Sequence, residues 1–154
     1  MPDLLVNLLR LPPLEESARK ALIRRAQPFE LSAVRNFILE NFSASWADEV
    51  SVGFANKPVS VFIATQDQQI VGFAAYECTR RGFFGPTGVV EQHQRKGVGE
   101  ALLLSCLWSL REMGYVYAII GGVGPVRFYQ KTVGAIVIPD SEPGIYKDRL
   151  ETTE

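Results

Sequence analysis

Gln94-Arg95-Lys96-Gly97-Val98-Gly99 is the stretch on which the fold turns. It follows an apolar run over residues 83–90, Phe-Phe-Gly-Pro-Thr-Gly-Val-Val, and opens a leucine-rich segment over residues 100–113 with no Gly or Pro before Gly114. The run reads as a strand and the segment as a helix. A glycine turn at such a junction makes an anion site, because the backbone can approach a ligand without Cβ interference and the first helical N–H groups have no partner within the helix. Phosphate is the expected guest. The bland alternative is that Gly97 and Gly99 only let strand and helix pack closely. Other phosphate motifs fail on spacing: a dinucleotide fingerprint starting at Gly97 would need Gly where Leu102 stands, and no P-loop ending in Gly-Lys-Ser/Thr occurs.

Working outward, residues 59–65 are rich in β-branched residues, Asp67-Gln68 marks a turn, and residues 70–78 form the antiparallel partner of a hairpin. Arg80-Arg81-Gly82 turns the chain into the strand before the phosphate turn. Upstream, Pro28 starts a helix over residues 29–42 with Val34, Phe37, Ile38 and Phe42 on one face. Ser43 or Ser45 caps the next helix, which runs to about Phe54 with Asp48 and Glu49 expected in its first turn. Residues 14–21 read as a helix, and residues 22–26 as a strand or a helix. Residues 4–11 are an apolar run stopped by Pro12-Pro13, expected to be an extra strand or an arm docked on the core. Downstream come a strand over residues 115–120 and a helix with Pro125 at its first position and Gly134 at its end.

The 154 residues suit a single domain over 1–154, with 1–21 as an N-terminal extension. Formal net charge is −1 and the basic residues are scattered, so no footprint for nucleic acid exists. No apolar stretch approaches the ~20 residues that span a bilayer, and the amino terminus lacks the features of a signal peptide, so a cytoplasmic protein without membrane partners is expected. The two cysteines, Cys78 and Cys106, match no zinc spacing and read as buried small apolar residues; the single histidine, His93, has no second ligand beside it, so no metal is expected.

Over residues 22–150 the sequence resembles the GNAT superfamily of acyl-CoA-dependent N-acyltransferases. The turn 94–99 resembles that family's Gln/Arg-x-x-Gly-x-Gly/Ala motif, and Phe128-Tyr129-Gln130-Lys131 before Gly134 resembles its Tyr-Glu-Lys-x-Gly-Phe signature. Three further stretches, residues 83–89 (Phe-Phe-Gly-Pro-Thr-Gly-Val), 119–125 (Ile-Ile-Gly-Gly-Val-Gly-Pro) and 141–146 (Ser-Glu-Pro-Gly-Ile-Tyr), look like a bacterial subgroup whose acceptor the sequence does not name.

The resemblance implies an α/β fold with a mixed, predominantly antiparallel sheet flanked by helices and splayed between the family's fourth and fifth strands. It implies acetyl-CoA as co-substrate, with its pyrophosphate held by Gln94, Arg95, Lys96, Gly97, Val98, Gly99 and Glu100, and its pantetheine arm paired with the strand at Val89 and Val90. It also implies transfer of the acetyl group to a primary amine of a small molecule or peptide by direct attack through a tetrahedral intermediate. The common asparagine at the start of the fourth helix is replaced by Gly124-Pro125, which removes one usual contact to the cofactor. Relatives are often homodimers.

Thioester aminolysis needs a neutral amine, a polarised carbonyl and a proton for the departing thiolate. A backbone N–H at Val89 or Val90 would polarise the carbonyl. Tyr129 is the candidate acid, since an ordinary phenol keeps its proton to about pH 10; the alternative is that Val126, Tyr129 and Val133 form one apolar stripe. The strands facing the thioester carry no carboxylate, which leaves the base open among Glu49, Glu77 and Glu91, with His93 disfavoured by its place in the turn. Acceptor contacts are expected from Trp46, Asp48, Glu49, Tyr76, Phe84 and Thr87, with core packing the alternative for Trp46 and Phe84. The missing strand carboxylate motivates a second description, a non-catalytic acyl-CoA-binding sensor.

Overall fold

The computed structural model describes residues 1–14, 21–94 and 96–151. The helix expected over residues 14–21 therefore lies, except for its two end residues, outside the described residues, as does Arg95 of the turn. The elements in chain order are β1 (Leu4–Asn7), β2 (Leu22–Arg25), α1 (Leu31–Asn41), α2 (Ala44–Ser51), β3 (Val61–Gln66), β4 (Gln69–Tyr76), β5 (Phe83–Val89), α3 (Val98–Glu112), β6 (Tyr117–Ile120), α4 (Val126–Val133) and β7 (Ile136–Val137). No helix among the described residues is long and apolar enough to cross a membrane.

The strands form one seven-stranded sheet in the order β2-β3-β4-β5-β6-β1-β7. Every neighbouring pair is antiparallel except β5 and β6, which run parallel. The β3–β4 hairpin turns through Asp67 and Gln68, both left-handed (φ 52° and 63°), as a two-residue hairpin loop requires. Strand alternation then sorts the core. Val61, Ile63 and Phe73 face α1 and α2, whose Val34, Ile38, Ala47 and Val50 cover them. Ala64, Ala74 and Tyr76 face the other way, toward Leu102, Leu103, Leu107 and Leu110 of α3. Helices cover both faces of the sheet.

Residues 4–7, expected as an extra strand or docked arm, are strand β1, inserted between β6 and β7: Leu4 stands opposite both Ile120 and Val137. Residues 22–25 resolve as a strand rather than a helix. Three details at helix starts differ from expectation, although Ser43 caps α2 as one of the two residues expected to. Helix α3 begins at Val98, two residues earlier than the leucine run suggests, because Gly97 takes the left-handed conformation (φ 78°) at the N-cap and leaves Val98 and Gly99 free to be helical. Helix α2 is capped by Ser43, whose Oγ accepts from the Trp46 N–H at 3.2 Å, so Asp48 and Glu49 fall in the second turn rather than the first. Pro125 is itself non-helical (φ −87°, ψ 68°) and precedes the first helical residue of α4, Val126.

The feature that positions the site is the β5–β6 junction. Pairing there is confined to Phe83 with Ile119 and Phe84 with Ile120. Beyond it β6 ends, and β5 continues through residues 85–89 with no strand on that edge, leaving about 17 Å of open strand. The opening is the splay expected of the fold.

Candidate active site

At the far end of the open strand lies the turn. The Val90 N–H donates to the Val71 carbonyl of β4 at 2.9 Å. By strand alternation the Val89 N–H therefore points the other way, into the opening, while the Val89 carbonyl on that edge accepts from Gln94 Nε2 at 3.0 Å. Of the two N–H groups expected to face a ligand, only that of Val89 does so.

The chain then makes one 3₁₀ turn, Glu91–His93, and enters α3. Gly97 offers no side chain, so no described residue caps the first turn of this 15-residue helix, and among the described residues the N–H groups of Val98, Gly99 and Glu100 have no partner. A Cβ built on Gly97 would meet nothing within 4 Å, and one on Gly99 only Val89 Cγ2 at 3.8 Å. Close packing of strand and helix thus does not require either glycine. The left-handed backbone explains Gly97, and what Gly99 leaves clear is the space over an uncapped helix end. Lys96 is exposed beside it, and Val98 is buried as an anchor. These residues fit a diphosphate.

At the near end of the open strand, Tyr129 of α4 is 5% exposed and packs edge-on against Phe84, ring centroids 6.3 Å apart. No described residue hydrogen-bonds its hydroxyl, yet every fully buried polar side-chain atom among the described residues has a partner. The hydroxyl oxygen is therefore not fully buried. Burial pushes the phenol up to about 12, so it holds its proton across the physiological range.

Beside Phe84 a cleft of about 520 Å³ opens. Trp46 and Glu49 line it from α2, Phe84, Gly85 and Pro86 from β5, and Gly121 and Gly122 from the loop after β6. Its remaining wall, including Glu142, Tyr146 and Arg149, comes from the segment after β7. Thr79 donates to Glu49 Oε2 at 2.5 Å, which fixes the carboxylate and leaves its second oxygen to the cleft.

The other acceptor and base candidates stand elsewhere. Tyr76 is buried beneath α3 and does not line the cleft, with its hydroxyl accepting from Arg25 at 2.6 Å. Thr87 donates to the Phe73 carbonyl at 3.0 Å and does not line the cleft. Asp48 accepts from Arg35 at 3.3 Å on the exposed face of α2. Glu77 accepts from the Tyr115 hydroxyl and the Gly82 N–H, a structural clamp on the turn into β5. Glu91 is exposed and His93 half-buried, both outside the cleft. Cys78 and Cys106 are buried free thiols, and burial raises Cys78 to about 11. The sequence reading passed over Thr79, Gly121, Gly122, Tyr146 and Arg149. Its one available signal was the set of three unassigned stretches, two of which supply Gly121, Gly122 and Tyr146.

Residues 57–132, from the start of the central hairpin to the end of α4, match a family model described as an acetyltransferase (GNAT) domain. Residues 57–132 carry a GNAT acetyltransferase domain. Its fold is similar to that of a GCN5-related N-acetyltransferase from Sphaerobacter thermophilus (TM-score 0.72, 20% identity, 89% of this chain and 48% of that one). It is similar also to the GCN5-related glucosamine N-acetyltransferase region of a fungal multi-domain GH3 β-N-acetylglucosaminidase (TM-score 0.69, 15% identity, 89% and 19%). A GNAT family acetyltransferase from Brucella melitensis, solved in complex with acetyl-CoA, shares the fold at TM-score 0.56 and 21% identity over 77% of this chain and 86% of that one. At these identities the likeness is one of fold. The chain spans 48% of the Sphaerobacter chain and 19% of the fungal one, less than two thirds of either. No curated protein matches the sequence. Within the GNAT domain, the α3 turn and Tyr129 both lie inside the matched residues, whereas Trp46, Glu49 and Tyr146 lie outside them.

Proposed function

We propose that this GNAT domain transfers an acetyl group from acetyl-CoA to a primary amine, and that residues 1–154 act as one unit in doing so. The observation that carries this is the continuity of three parts along one strand edge. An uncapped helix N-terminus lies at one end of the open β5 edge, a buried protonated phenol at the other, and a cleft with a carboxylate opens beyond the phenol.

Acetyl-CoA, when bound, supplies the activated acyl group. Val98, Gly99 and Glu100 offer backbone N–H groups to its pyrophosphate, with Gln94 and Lys96 beside them and Arg95 adding a cation in the same turn. Val89 offers its N–H to the arm or to the thioester carbonyl. Glu49 holds the incoming ammonium through its free oxygen and takes its proton, directly or through water. Tyr129 donates its proton to the sulfur as the C–S bond breaks and the N–C bond forms. The sensor description was motivated by the absence of a strand carboxylate; Glu49 supplies one from α2.

The test is thiol release from acetyl-CoA across a panel of primary amines, preceded by calorimetric binding of acetyl-CoA. Release above hydrolysis with wild type, lost in Tyr129→Phe at unchanged cofactor affinity, is the expected result. Binding with no release for any amine would favour the sensor, and no binding at all would end both descriptions.

A further inference from the structure

The stretches 83–89, 119–125 and 141–146 have no part in binding a pyrophosphate, yet the fold brings residues of all three to the one cleft: Phe84 and Pro86, Gly121 and Gly122, and Glu142 and Tyr146. Their chemistry restricts what the cleft can accept.

Two of its rings are fixed from behind. Trp46 is seated against Phe42 (centroids 5.5 Å, planes 31° apart) and edge-on to Phe73 at 6.2 Å. Tyr146 lies on the Gly122 backbone so closely that a Cβ there would sit 2.9 Å from its ring. Both rings are half-buried and line the cleft, so each has surface left for a ligand. The free oxygen of Glu49 and the half-exposed carboxylate of Glu142, which pairs with the Met1 ammonium, line the same cleft, with the Arg149 guanidinium 5.8 Å from the Tyr146 ring and 3.4 Å from Ser45 Oγ. Rigid aromatic faces alternating with carboxylates and a guanidinium suit a ligand with flat C–H faces and hydroxyl groups around its edge.

Other amines fit less well. A polyamine carries several cations into a cleft that Arg149 already lines. A peptide bound as an added strand needs a run of backbone donors. In this cleft the Gly122 N–H is already spent on Asp3 Oδ1 at 2.9 Å.

We infer that the acceptor is an amino sugar of the hexosamine class, seated on Trp46 and Tyr146 with its amine on Glu49; this rests on the acetyltransferase function proposed above. The reaction forms an amide N–C bond and breaks the thioester C–S bond. The bound ammonium gives one proton to Glu49, which passes it to solvent, and the neutral amine attacks; Tyr129 protonates sulfur as the C–S bond breaks, and the second proton lost from nitrogen returns to the Tyr129 oxygen, giving an N-acetylhexosamine and free coenzyme A.

The experiment measures thiol release by the full chain with glucosamine, galactosamine, spermidine, lysine and a glycine-initiated peptide, alongside saturation-transfer NMR with glucosamine. We expect kcat/KM for a hexosamine at least about tenfold above the other amines. Tyr146→Ala should raise hexosamine KM by a similar factor without changing acetyl-CoA affinity, and Tyr146→Phe, which keeps the ring, should restore it. Transfer to spermidine, lysine or peptide but not to a hexosamine overturns the acceptor class and leaves the acetyltransferase standing. Acetyl-CoA binding with neither hexosamine transfer nor a saturation-transfer signal also overturns it, and failure to bind acetyl-CoA removes the underlying function as well.

Discussion

The two ends of β5 are built by opposite means. The turn into α3 is local: one left-handed glycine, one uncapped helix end and one strand edge, all within residues 85–100. The cleft at the other end draws on α2, β5, the loop after β6 and the segment after β7, and its wall is held by Asp3, the residue before β1. A site written in consecutive residues depends on backbone geometry and tolerates change elsewhere. A site assembled from distant segments depends on the packing that brings them together, so substitutions remote from it reach it.

The largest effect that would break this contrast is at the local end. In Gly99→Asp the new Cβ has room, 3.8 Å from Val89 Cγ2, so the protein should fold with little change in Tm. Its carboxylate would stand over the unclaimed N–H groups and repel a diphosphate, at a cost of several kcal/mol. Acetyl-CoA affinity measured by calorimetry should fall by about a hundredfold or more; unaltered affinity would show that the turn is not the anion site.

Next in size is Tyr129→Phe, which keeps the packing against Phe84 and removes the proton, with an expected loss of about 10²–10⁴ in kcat. The pH profile sharpens it. With the phenol raised to about 12, its neutral form persists in the native protein above the ordinary value near 10. The stability linked to this group is therefore complete below pH ~10 and is lost as pH climbs through about 12. Wild-type kcat should show no alkaline decline below pH ~10 attributable to this residue.

The same contrast accounts for what could be read in advance. The hairpin and the α3 turn follow from periodicity and glycine placement, which are local, whereas the splayed sheet and the choice of Tyr129 come from the resemblance to the GNAT superfamily. Helix starts shifted by a residue or two because caps decide them: Gly97 let α3 begin early and Ser43 started α2 far enough upstream to carry Glu49 into its second turn. The acceptor side was half legible. Trp46, Glu49 and Phe84 stand in the cleft, but Tyr76 and Thr87, equally polar or aromatic on the same pattern, face away from it. Alternation along β4 shows which face a residue takes; it does not show which segment covers that face. Tyr146 was invisible as a lining residue of the cleft because its place depends on residues 4–7 completing the sheet between β6 and β7.

Gly88→Ala tests whether packing behind β5 reaches the cleft. A Cβ at Gly88 would lie 2.5 Å from Phe42 Cζ, so the Phe42 ring must move, and with it Trp46, which is seated on that ring. Overpacking of this kind costs about 1–3 kcal/mol, visible as a lowered Tm. The acceptor KM should rise while acetyl-CoA affinity changes less, although Gly88 lies one residue from Val89. Equal loss of both would mean that the strand, rather than the aromatic cluster, transmits the change.

The smallest effect is the most diagnostic for the assembled end. Asp3 accepts from the Gly122 N–H at 2.9 Å, its own N–H donates to Ser141 Oγ at 2.9 Å, and its carbonyl accepts from Ile138 at 2.9 Å, so it ties the loop after β6 to the segment carrying Tyr146. Asp3→Ala leaves the two backbone bonds intact and frees only the Gly122 N–H, a loss of about 1–3 kcal/mol in a half-buried setting. If that N–H holds the floor under Tyr146, the variant should raise acceptor KM by about threefold to tenfold with kcat and acetyl-CoA affinity retained. Asp3→Asn keeps a carbonyl oxygen in the accepting position and should recover most of the loss. A variant whose kcat falls while its KM stays put would place Asp3 on the path to Tyr129 through α4 instead, and the two ends of β5 would then share a support that their separate construction does not require.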